Sequence, residues 1–538
     1  DFRTRDDYRH MVEKLAKGST LAESEIARMA VEMAKEGIAE QPDYPRAGHV
    51  GYYLIGKGLK KLEKAADVKF TFPEKIERVC RKMPLFLYTT FSFTGALFFA
   101  GALIRQEYFN GLHNPWILGI VGFFTLIACS QLSIILINWA STIIVKPMVL
   151  PRMNFSHGIP DTYRTLVVVP SLFNDLKELE ELVDGLEVRF LANRDPNMHF
   201  ALLTDFKDSK TETVPGEDEL IFEARNRIKN LNERYGKEKN EIFFMFHRPR
   251  KYNPKDRIWM GYERKRGKLA EMNALLRGRG KENFSLIVGE AESYEKVKYV
   301  ITLDTDTQLP RDAGWKIAGT MAHPMNHPFY SEKKQRVVEG YGILQPRVAV
   351  SLPTEDSTIY ARMHENEPGI DPYTRAISDV YQDLFGEGSF IGKGIYDVDA
   401  FEKALKGRFP ENRILSHDLL EGSYARCGLL SDVQLYEAYP KRYDVDMKRR
   451  HRWIRGDWQI ASWLWPWVPG GARRIVRNPI SGLSKWKIFD NLRRSLVPVA
   501  SLFMLLYGWI FSGSPMYWTI SVLLILILPS FVSFFWEI

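Results

Sequence analysis

Four long, uncharged apolar segments dominate the pattern of hydrophobic and polar positions along the chain. They run from Pro84 to Ile104, from Trp116 to Val145, from Leu496 to Ser512 and from Met516 to Trp536. Uncharged apolar segments of about 18 residues or more are typical of membrane-spanning helices. The pattern therefore predicts two transmembrane hairpins, at residues 84–146 and 495–538. Buried core helices are the alternative.

Basic residues flank both predicted hairpins. Arg81 and Lys82 precede the first hairpin, Lys146 follows it, and Arg493 and Arg494 precede the second. Because Lys and Arg accumulate on the cytoplasmic side of membrane proteins, both hairpins are predicted to enter the membrane from the cytoplasm. The chain between them is then cytoplasmic, and residues 471–494 form a basic interfacial segment.

Residues 1–83, before the first hairpin, have a helical pattern. Thr20 to Glu23 has the form of a capping box, the apolar residues from Ile26 to Met33 recur at helical spacing, and Gly37 is placed to end the helix. The segment shows no chemistry of its own. We expect either an amphipathic collar at the membrane surface or an arm packed against the next domain, and the packed arm is favoured.

Residues 152–470, between the hairpins, alternate short β-branched runs with helical patterns, which is typical of an α/β domain. The pattern predicts strands at Thr165–Val169, Phe200–Thr204, Ile242–Phe246 and Tyr299–Leu303, and helices at Asp175–Leu191 and about Glu217–Tyr235. Pro170 is predicted to end the first strand.

Aspartates follow two of these strands. Asp205 comes directly after the second strand, and Asp304 and Asp306 follow the fourth. Ligands of open α/β sheets bind beyond the carboxyl ends of strands, so the three carboxylates are expected to share one crevice. Alternate residues of an extended segment point the same way, so Asp304 and Asp306 can face one divalent ion. A solvated turn in which Asp caps the next element is the alternative.

The composition excludes several classes of protein. With 538 residues, 26% charged and 13% aromatic, the chain is not disordered or collagen-like, and Cys80, Cys129 and Cys427 form no CxxC pair for a disulfide framework or a zinc site. Residues 441–494 contain 14 Lys and Arg against four Asp, so the remaining chain has a net charge of −2 although the whole carries +8. This basic strip fits a diphosphate at its start and anionic lipid at its end, and nucleic acid is not needed to explain it.

Several short motifs follow one another in chain order: His247–Pro249, Arg266–Asn273, Asp304–Asp306, Gln345–Arg347, Gly386–Phe390, Ser416–Glu421 and Arg449–Gly456. This succession resembles the processive, inverting glycosyltransferases of family 2 type, which include cellulose, chitin and hyaluronan synthases. It is most similar to the glycosyltransferase domain of cyclic β-1,2-glucan synthases (glycosyltransferase family 84), over about residues 160–460 and both hairpins. The resemblance implies a GT-A (Rossmann-like) α/β domain between the two hairpins.

The resemblance also implies roles for individual residues. Asp304 and Asp306 would bind Mg²⁺ or Mn²⁺ and the donor diphosphate, and Asp418 would be the catalytic base. One base suffices, because the nucleotide leaves as a metal-bound dianion and needs no proton from a second acid. The residues implied in donor binding are Asp205, Lys268, Asn273, Arg449 and Arg452, and those implied in acceptor binding are Trp453, Gly388, Ser389 and Phe390.

Some of these roles have alternatives. Arg449 stands where most relatives have Gln, and His417, which precedes Asp418, either tunes the base or caps the following helix. An interfacial helix in contact with lipid is the alternative for Arg452 and Trp453. For three further tryptophans, contact with lipid headgroups is favoured: Trp463, Trp465 and Trp467.

The resemblance implies a UDP-glucose-dependent, inverting and processive enzyme of the bacterial inner membrane that extends a β-1,2-glucan. Relatives are thought to build their glucan on a protein tyrosine, for which Tyr235, Tyr252 and Tyr262 are candidates. Further membrane segments and a glycoside phosphorylase domain are expected in a longer chain. Another membrane β-glycan synthase and an inactive nucleotide-sugar sensor are the alternatives, and the intact carboxylates argue against the sensor because a sensor needs no base.

Overall fold

A computed structural model of the protein describes residues 1–42, 44–236, 241–351, 358–364, 376–471 and 474–537. Its α-helices are α1 (Phe2–Lys17), α2 (Glu23–Glu40), α3 (Val50–Leu54), α4 (Leu59–Ala65), α5 (Phe72–Cys80), α6 (Pro84–Phe109), α7 (Pro115–Ile144), α8 (Leu176–Ala192), α9 (Glu217–Tyr235), α10 (Arg264–Leu275), α11 (Ala291–Tyr294), α12 (Ala313–Met321), α13 (Ile359–Met363), α14 (Ala376–Phe385), α15 (Val398–Leu405), α16 (Asp418–Ala425), α17 (Tyr443–Gln459), α18 (Gly482–Ile510) and α19 (Pro515–Glu537). Its strands are β1 (Thr165–Leu172), β2 (Met198–Asp205), β3 (Phe243–Arg248), β4 (Lys251–Asn253), β5 (Ile258–Met260), β6 (Leu286–Val288), β7 (Tyr299–Thr302), β8 (Phe329–Ser331), β9 (Arg336–Glu339), β10 (Ile343–Val350), β11 (Gly394–Asp397), β12 (Cys427–Glu437), β13 (Trp467–Pro469) and β14 (Ile475–Arg477).

Eight strands form the central sheet, in the order β12-β10-β11-β7-β1-β2-β3-β6. Strands β7, β1, β2 and β3 run parallel to their neighbours in this group, while β11 is antiparallel to both β7 and β10. A parallel sheet is covered on both faces, and its strands are apolar throughout. Leu166 and Val168 of β1 accordingly point into one core and Val167 and Val169 into the other. The predicted α/β domain is confirmed.

Strand β1 continues past Pro170 to Leu172, so the prediction that this proline ends the strand is wrong. Pro170 pairs in register with Leu203 of β2. On the other side, β7 pairs with β1 only as far as Val168. The missing N–H of Pro170 therefore falls where β1 has lost one of its two neighbours, a position at which a sheet tolerates proline.

The predicted helix Glu217–Tyr235 matches α9 residue for residue.

Helices α1 to α4 pack around an apolar core and lie against the α/β domain. The Tyr44 hydroxyl donates to the Glu339 carboxylate, the Arg46 guanidinium donates to the carbonyl of His327, and the amide of Arg152 donates to Thr4 Oγ1 at 2.9 Å. These contacts agree with the predicted packed arm.

Helix α2 differs from its prediction at both ends. It begins after Ala22, whose N–H donates to the Glu25 carboxylate at 2.8 Å, rather than at Thr20. It also continues past Gly37 to Glu40. A Cβ at Gly37 would lie 2.4 Å from the Tyr53 hydroxyl oxygen and 2.5 Å from the Ala47 carbonyl oxygen. The glycine thus allows close packing against the helix and does not end it.

Two helices in the described part of the chain, α6 and α7, are long and apolar enough to cross a membrane. The predicted second hairpin is not supported in the same way. Helix α18 starts at Gly482, well before the apolar segment at Leu496, and in α19 the described side chains support an apolar segment only over Pro515–Leu528. Helices α18 and α19 nevertheless pack with α6 and α7 around a shared apolar core.

The predicted basic interfacial segment is largely the first half of α18. Lys487 donates to the carbonyl of Gly388 at 2.6 Å, and Arg493 pairs with Asp490 at 2.8 Å. Both basic side chains are buried, so the prediction that this end of the strip faces lipid headgroups is wrong for them. The cause is contacts with distant parts of the chain that the sequence does not show: Gly388 for Lys487, and Gln131 of α7, to which Arg493 donates at 3.0 Å.

The three tryptophans before β14 also separate. Trp463 is only 1% exposed and donates its indole N–H to the Tyr424 hydroxyl at 3.2 Å. The prediction that it contacts headgroups is therefore wrong, because the side chain is part of the domain core. Trp465 and Trp467 are 69% and 63% exposed and keep that prediction.

Candidate active site

A cavity of about 1200 Å³ lies beyond the carboxyl ends of β7 and β12. The chain positions acidic, basic and aromatic side chains around it from six separate segments. Those that line the cavity include Lys265, Asp304, Asp306, Phe390, Lys393, Asp418, Glu437, Arg449, Arg452 and Trp453. The structure thus brings the predicted metal ligands, the predicted base and the Arg-Trp motif into one site.

Three carboxylates form an acidic cluster at one end of the cavity. Oxygen atoms of Asp304, Asp306 and Glu437 all lie within 4.8 Å of one another. Glu437 is the last residue of β12, and it accepts a hydrogen bond from Thr307 Oγ1 at 2.8 Å. Three hard oxygen donors this close together fit a divalent cation such as Mg²⁺ or Mn²⁺.

Two lysines balance this acidic cluster. Lys265 Nζ lies 2.6 Å from Asp304 Oδ1, and Lys393 Nζ lies 3.3 Å from Asp304 Oδ2 and also pairs with Glu437. Burial alone would raise the pKa of Asp304, but the two lysines outweigh it and hold that pKa well below its usual value. Burial, followed by the charge of Glu437, raises the pKa of Asp306. Asp306 forms no ion pair with any described residue.

A buried arginine supports the Asp304–Asp306 loop from behind. Arg189 Nη2 donates to the carbonyl oxygens of Thr305 at 2.7 Å and Thr307 at 2.8 Å, and its Nη1 donates to the carbonyl of Gly185 at 2.8 Å. Arg189 lies on α8, whose start is set by Asp175, which accepts the N–H of Glu178. The helix and the loop are therefore joined by one planar cation.

Asp418, the predicted base, is the first residue of α16 and faces the cavity. Burial raises its pKa, while Lys265 opposes that rise. His417 precedes it as the N-cap residue, but the His417 side chain makes no capping hydrogen bond, so the alternative in which this side chain caps the helix is not supported. Burial, followed by Arg266 and Lys265, lowers the pKa of His417 to about 3. The imidazole is therefore neutral at neutral pH.

Beneath Asp418 lies a second buried carboxyl group. Glu421 Oε1 is 3.5 Å from His417 Nε2, and burial, followed by the charge of Asp418, raises the pKa of Glu421 well above its usual value. A neutral imidazole and a carboxyl group with a strongly raised pKa thus lie beside the base inside the domain, so Asp418 ionises more readily than Glu421.

Helix α17 presents the Arg-x-x-Arg-Trp motif to the cavity. Arg449 lies over the ring of Trp453, with its guanidinium carbon 5.1 Å from the ring centroid, and donates to Asp446 Oδ1 at 3.2 Å. Arg452 is exposed and also lines the cavity. Since the motif faces the cavity, the alternative of an interfacial helix in contact with lipid is not supported.

Three predicted donor-binding residues do not line the cavity but lie buried behind it. Asp205 is 1% exposed, and its carboxylate accepts two hydrogen bonds from Arg248, at 2.8 and 2.9 Å. Lys268 Nζ lies 3.3 Å from the same carboxylate, and burial lowers the pKa of Lys268 to about 8. Asn273 accepts a hydrogen bond from the Tyr396 hydroxyl at 2.9 Å. Each of the three side chains thus pairs with other protein groups, and Asp205 does not line the cavity that Asp304 and Asp306 share.

The predicted acceptor loop is only partly at the cavity. Phe390 lines it, whereas Gly388 and Ser389 are buried beside β12. A Cβ at Gly388 would lie 2.8 Å from the backbone nitrogen of Leu429, so the glycine is required for packing.

The candidate primer tyrosines lie apart from one another. The Tyr235 hydroxyl donates to Glu187 at 2.5 Å, and Tyr252 is 47% exposed on β4. The Tyr262 hydroxyl donates to Glu411 at 3.0 Å and accepts from Asn412 at 3.1 Å. Because Asn412 lines the cavity, Tyr262 is the candidate nearest to the site.

Four residues at this site were not predicted from the sequence: Arg189, Lys265, Lys393 and Glu437. Lys265 directly precedes the Arg266–Asn273 motif, and Lys393 is flanked by Gly392 and Gly394, so both had a local signal. Glu437 and Arg189 had none, since they reach the site only through the pairing of β12 with β10 and the packing of α8.

Carboxylates, ammonium groups and an arginine-bearing helix therefore converge beyond the strand ends, as in enzymes that bind phosphorylated ligands through a cation. The chain is 42% identical over 513 residues to the cyclic β-(1,2)-glucan synthase NdvB of Rhizobium meliloti (strain 1021). This match covers 95% of the chain but only 18% of that protein, so the chain spans less than a fifth of its relative. The predicted resemblance is confirmed.

Two further comparisons add less. No protein-family model matches the chain. The mannosyltransferase PcManGT from Pyrobaculum calidifontis, solved in complex with GDP-Man and Mn²⁺, superimposes with a TM-score of 0.41 at 14% identity, covering 75% of this chain and 91% of that one. A similarity this weak supports no inference about this chain.

Proposed function

We propose that the protein is an inverting, processive glucosyltransferase that transfers glucose from UDP-glucose to a growing β-1,2-glucan. The observation that carries the proposal is the meeting of the acidic cluster, Asp418 and the Arg452-Trp453 face of α17 around one cavity. The sequence identity to the β-(1,2)-glucan synthase supports the sugar and the linkage.

In this reaction the carboxylate of Asp418 accepts the proton of the acceptor hydroxyl as its oxygen attacks the anomeric carbon of glucose. The attack comes from the face opposite the nucleotide, so the configuration inverts. A positioned base of this kind contributes about 10²- to 10⁴-fold to a rate. Glu421 does not line the cavity and His417 has a pKa of about 3, which leaves Asp418 as the group that takes the proton.

Asp304, Asp306 and Glu437 would hold Mg²⁺ or Mn²⁺, and a bound ion supplies charge that stabilises the leaving diphosphate. Arg452, exposed to the cavity, is suited to the same diphosphate, because its planar guanidinium is always charged and pairs with two phosphate oxygens at once. Trp453, half-buried beneath Arg449, offers a flat apolar face for the terminal sugar of the acceptor.

The size and reach of the cavity support a site that holds donor and acceptor together. Its volume of about 1200 Å³ exceeds the roughly 300–1,000 Å³ of an ordinary small-molecule site. The lining extends from Asp304 to Asn491 and Ser495 on α18. A growing chain can therefore leave along the helix that leads to the apolar bundle.

We further propose that the protein is a multi-pass protein of the bacterial inner membrane with its α/β domain in the cytoplasm. Helix α5, directly before α6, supports this placement because its exposed side chains Phe72, Ile76 and Val79 form one apolar stripe. Such a stripe beside Arg81 and Lys82 is suited to an anionic lipid surface.

The test is incubation of membranes containing the protein with radiolabelled UDP-glucose and Mn²⁺, followed by linkage and product-length analysis. Long products at low turnover indicate processivity. Asp418→Asn should abolish polymer while leaving UDP binding intact, and the matched control Asp184→Asn, at an exposed position of α8, should behave as wild type. Polymer formed at the wild-type rate by Asp418→Asn would remove Asp418 as the base.

Covalent label on the protein would support priming on tyrosine. Tyr262→Phe should remove that label, because Tyr262 is the candidate next to the cavity. Persistence of the label in Tyr262→Phe would assign the primer to another residue.

A further inference from the structure

Lys393 lies in a bend between Gly392 and Gly394, the latter being the first residue of β11. The flanking glycines have φ angles of +86° and +149°, which other residues rarely adopt. A Cβ at Gly394 would lie 2.3 Å from the carbonyl oxygen of Leu344, and one at Gly392 would lie 3.1 Å from Asp418 Oδ1. The bend thus passes between the sheet and the base, and only its lysine projects a side chain.

The ammonium group of Lys393 lies inside the acidic cluster. It pairs with Glu437 Oε1 and lies 3.3 Å from Asp304 Oδ2, and the side chain is 13% exposed. Oxygen atoms of Asp304, Asp306 and Glu437 lie within 4.8 Å of one another. A cation held by these three carboxylates would therefore share two of its ligands, Asp304 and Glu437, with the ammonium group.

An ammonium group and a divalent ion cannot both contact the same few oxygens, because their charges repel strongly at such distances. Lys393 also offsets the repulsion among the carboxylates in the absence of a divalent ion. The neighbouring Lys265 bonds Asp304 Oδ1 and the carbonyl of Gly392, so it holds the bend in place from the opposite side.

We propose that Lys393 is a tethered cation that competes with the divalent ion for Asp304 and Glu437 and yields to it only when a nucleoside diphosphate is bound. The diphosphate gives the displaced ammonium group a new anionic partner within the cavity. Metal and nucleotide then bind cooperatively, and by reciprocity each tightens the other. This inference rests on the proposed function and deepens it.

The experiment measures Mn²⁺ binding to the purified full chain in detergent, by the electron paramagnetic resonance signal of free Mn²⁺, with and without UDP. We expect the wild type to bind Mn²⁺ weakly alone and at least about tenfold more tightly with UDP. Lys393→Met should bind Mn²⁺ about tenfold more tightly than wild type without UDP and show little further gain with it. Lys296→Met, at an exposed lysine away from the site, removes the same charge and should match the wild type.

Equal or weaker Mn²⁺ binding by Lys393→Met without UDP would overturn this inference. If the wild type binds no Mn²⁺ even with UDP, or if Asp304→Asn binds it as well as the wild type does, the metal site of the proposed function fails as well. Lys393→Gln, a second neutral variant, guards against a folding defect. In either variant Mn²⁺ should raise the unfolding temperature more than in the wild type, and an equal or smaller rise would also overturn the inference.

Discussion

Replacement of Arg189 by methionine tests how the Asp304–Asp306 loop is held. The guanidinium donates to the carbonyls of Thr305 and Thr307 in the loop and to that of Gly185 in its own helix. Methionine fills a similar volume but donates nothing. Among the described residues, Arg189 is the only charged side chain of α8 that contacts the loop, and the substitution removes this contact.

The expected loss of folding stability depends on which carbonyl groups can find another hydrogen-bond donor. Thr305 is exposed, so water can replace the arginine there, whereas Thr307 is fully buried. A hydrogen bond to a charged group contributes about 1.5–3 kcal/mol, and one such loss gives a destabilisation of about 1.5–3 kcal/mol. A shift of the loop by about 1 Å should lower the transfer rate about 10²-fold.

The assay combines initial rates of glucose transfer with Mn²⁺ binding and thermal unfolding. Arg189→Met should lower the rate and weaken Mn²⁺ binding together, because the loop carries two of the three proposed ligands. Arg189→Lys keeps the charge but not the planar fork, and should recover part of both. Arg225→Met, at an exposed position of α9, is the matched control.

A folded Arg189→Met protein with wild-type rate and Mn²⁺ affinity would refute the reasoning. Loss of stability with unchanged Mn²⁺ affinity in the folded fraction would show a structural role alone. Comparing the change in Mn²⁺ affinity with the change in unfolding temperature therefore distinguishes a role of Arg189 in positioning the loop from a role in packing alone.

Three further predictions concern the same site. Because burial raises the pKa of Asp418, its carboxylate takes up a proton at a higher pH than an ordinary aspartate. The transfer rate should therefore begin to fall on acidification above about pH 3.9, and a rate that holds down to that pH would contradict its role as base. EDTA should abolish transfer and Mn²⁺ should restore it, and full activity in EDTA would remove the metal assignment. Asp205→Asn leaves Arg248 and Lys268 buried without their shared carboxylate. Thermal unfolding should show a destabilisation of about 3–5 kcal/mol. A stable variant with weakened UDP binding would instead favour the predicted donor contact.

The pattern of apolar residues predicted the α/β class, the strands β1, β2, β3 and β7, and the helices α8 and α9 within a few residues. These predictions succeed because a buried parallel strand is a short continuous apolar run, whereas an amphipathic helix has its apolar residues at a helical period. They failed at Pro170, where the length of the neighbouring strand β7 decides whether a proline is tolerated. They failed also at Gly37, where close packing against Tyr53 and Ala47, not helix termination, requires the glycine.

The predicted membrane segments also include some features that the sequence predicts and others that depend on tertiary contacts. Helices α6 and α7 have the length and composition that the sequence predicted. The basic residues at the start of α18 do not follow their prediction, because Lys487 and Arg493 are buried by pairing with Glu387 and Asp490. A charge count along the chain cannot distinguish such paired, buried cations from cations that face lipid.

The sequence by itself determined which residues follow the strands, so Asp304, Asp306 and the cavity beyond them were predictable from periodicity and from the geometry of parallel sheets. Only the tertiary structure decided that Glu437 completes the acidic cluster, that Lys393 lies within it, and that Asp205 is buried behind it with Arg248. The physical reason is range. The apolar pattern of a strand lies in its own residues, whereas the contacts of Asp205 and Glu437 join residues tens to more than a hundred positions apart and form only in the folded domain.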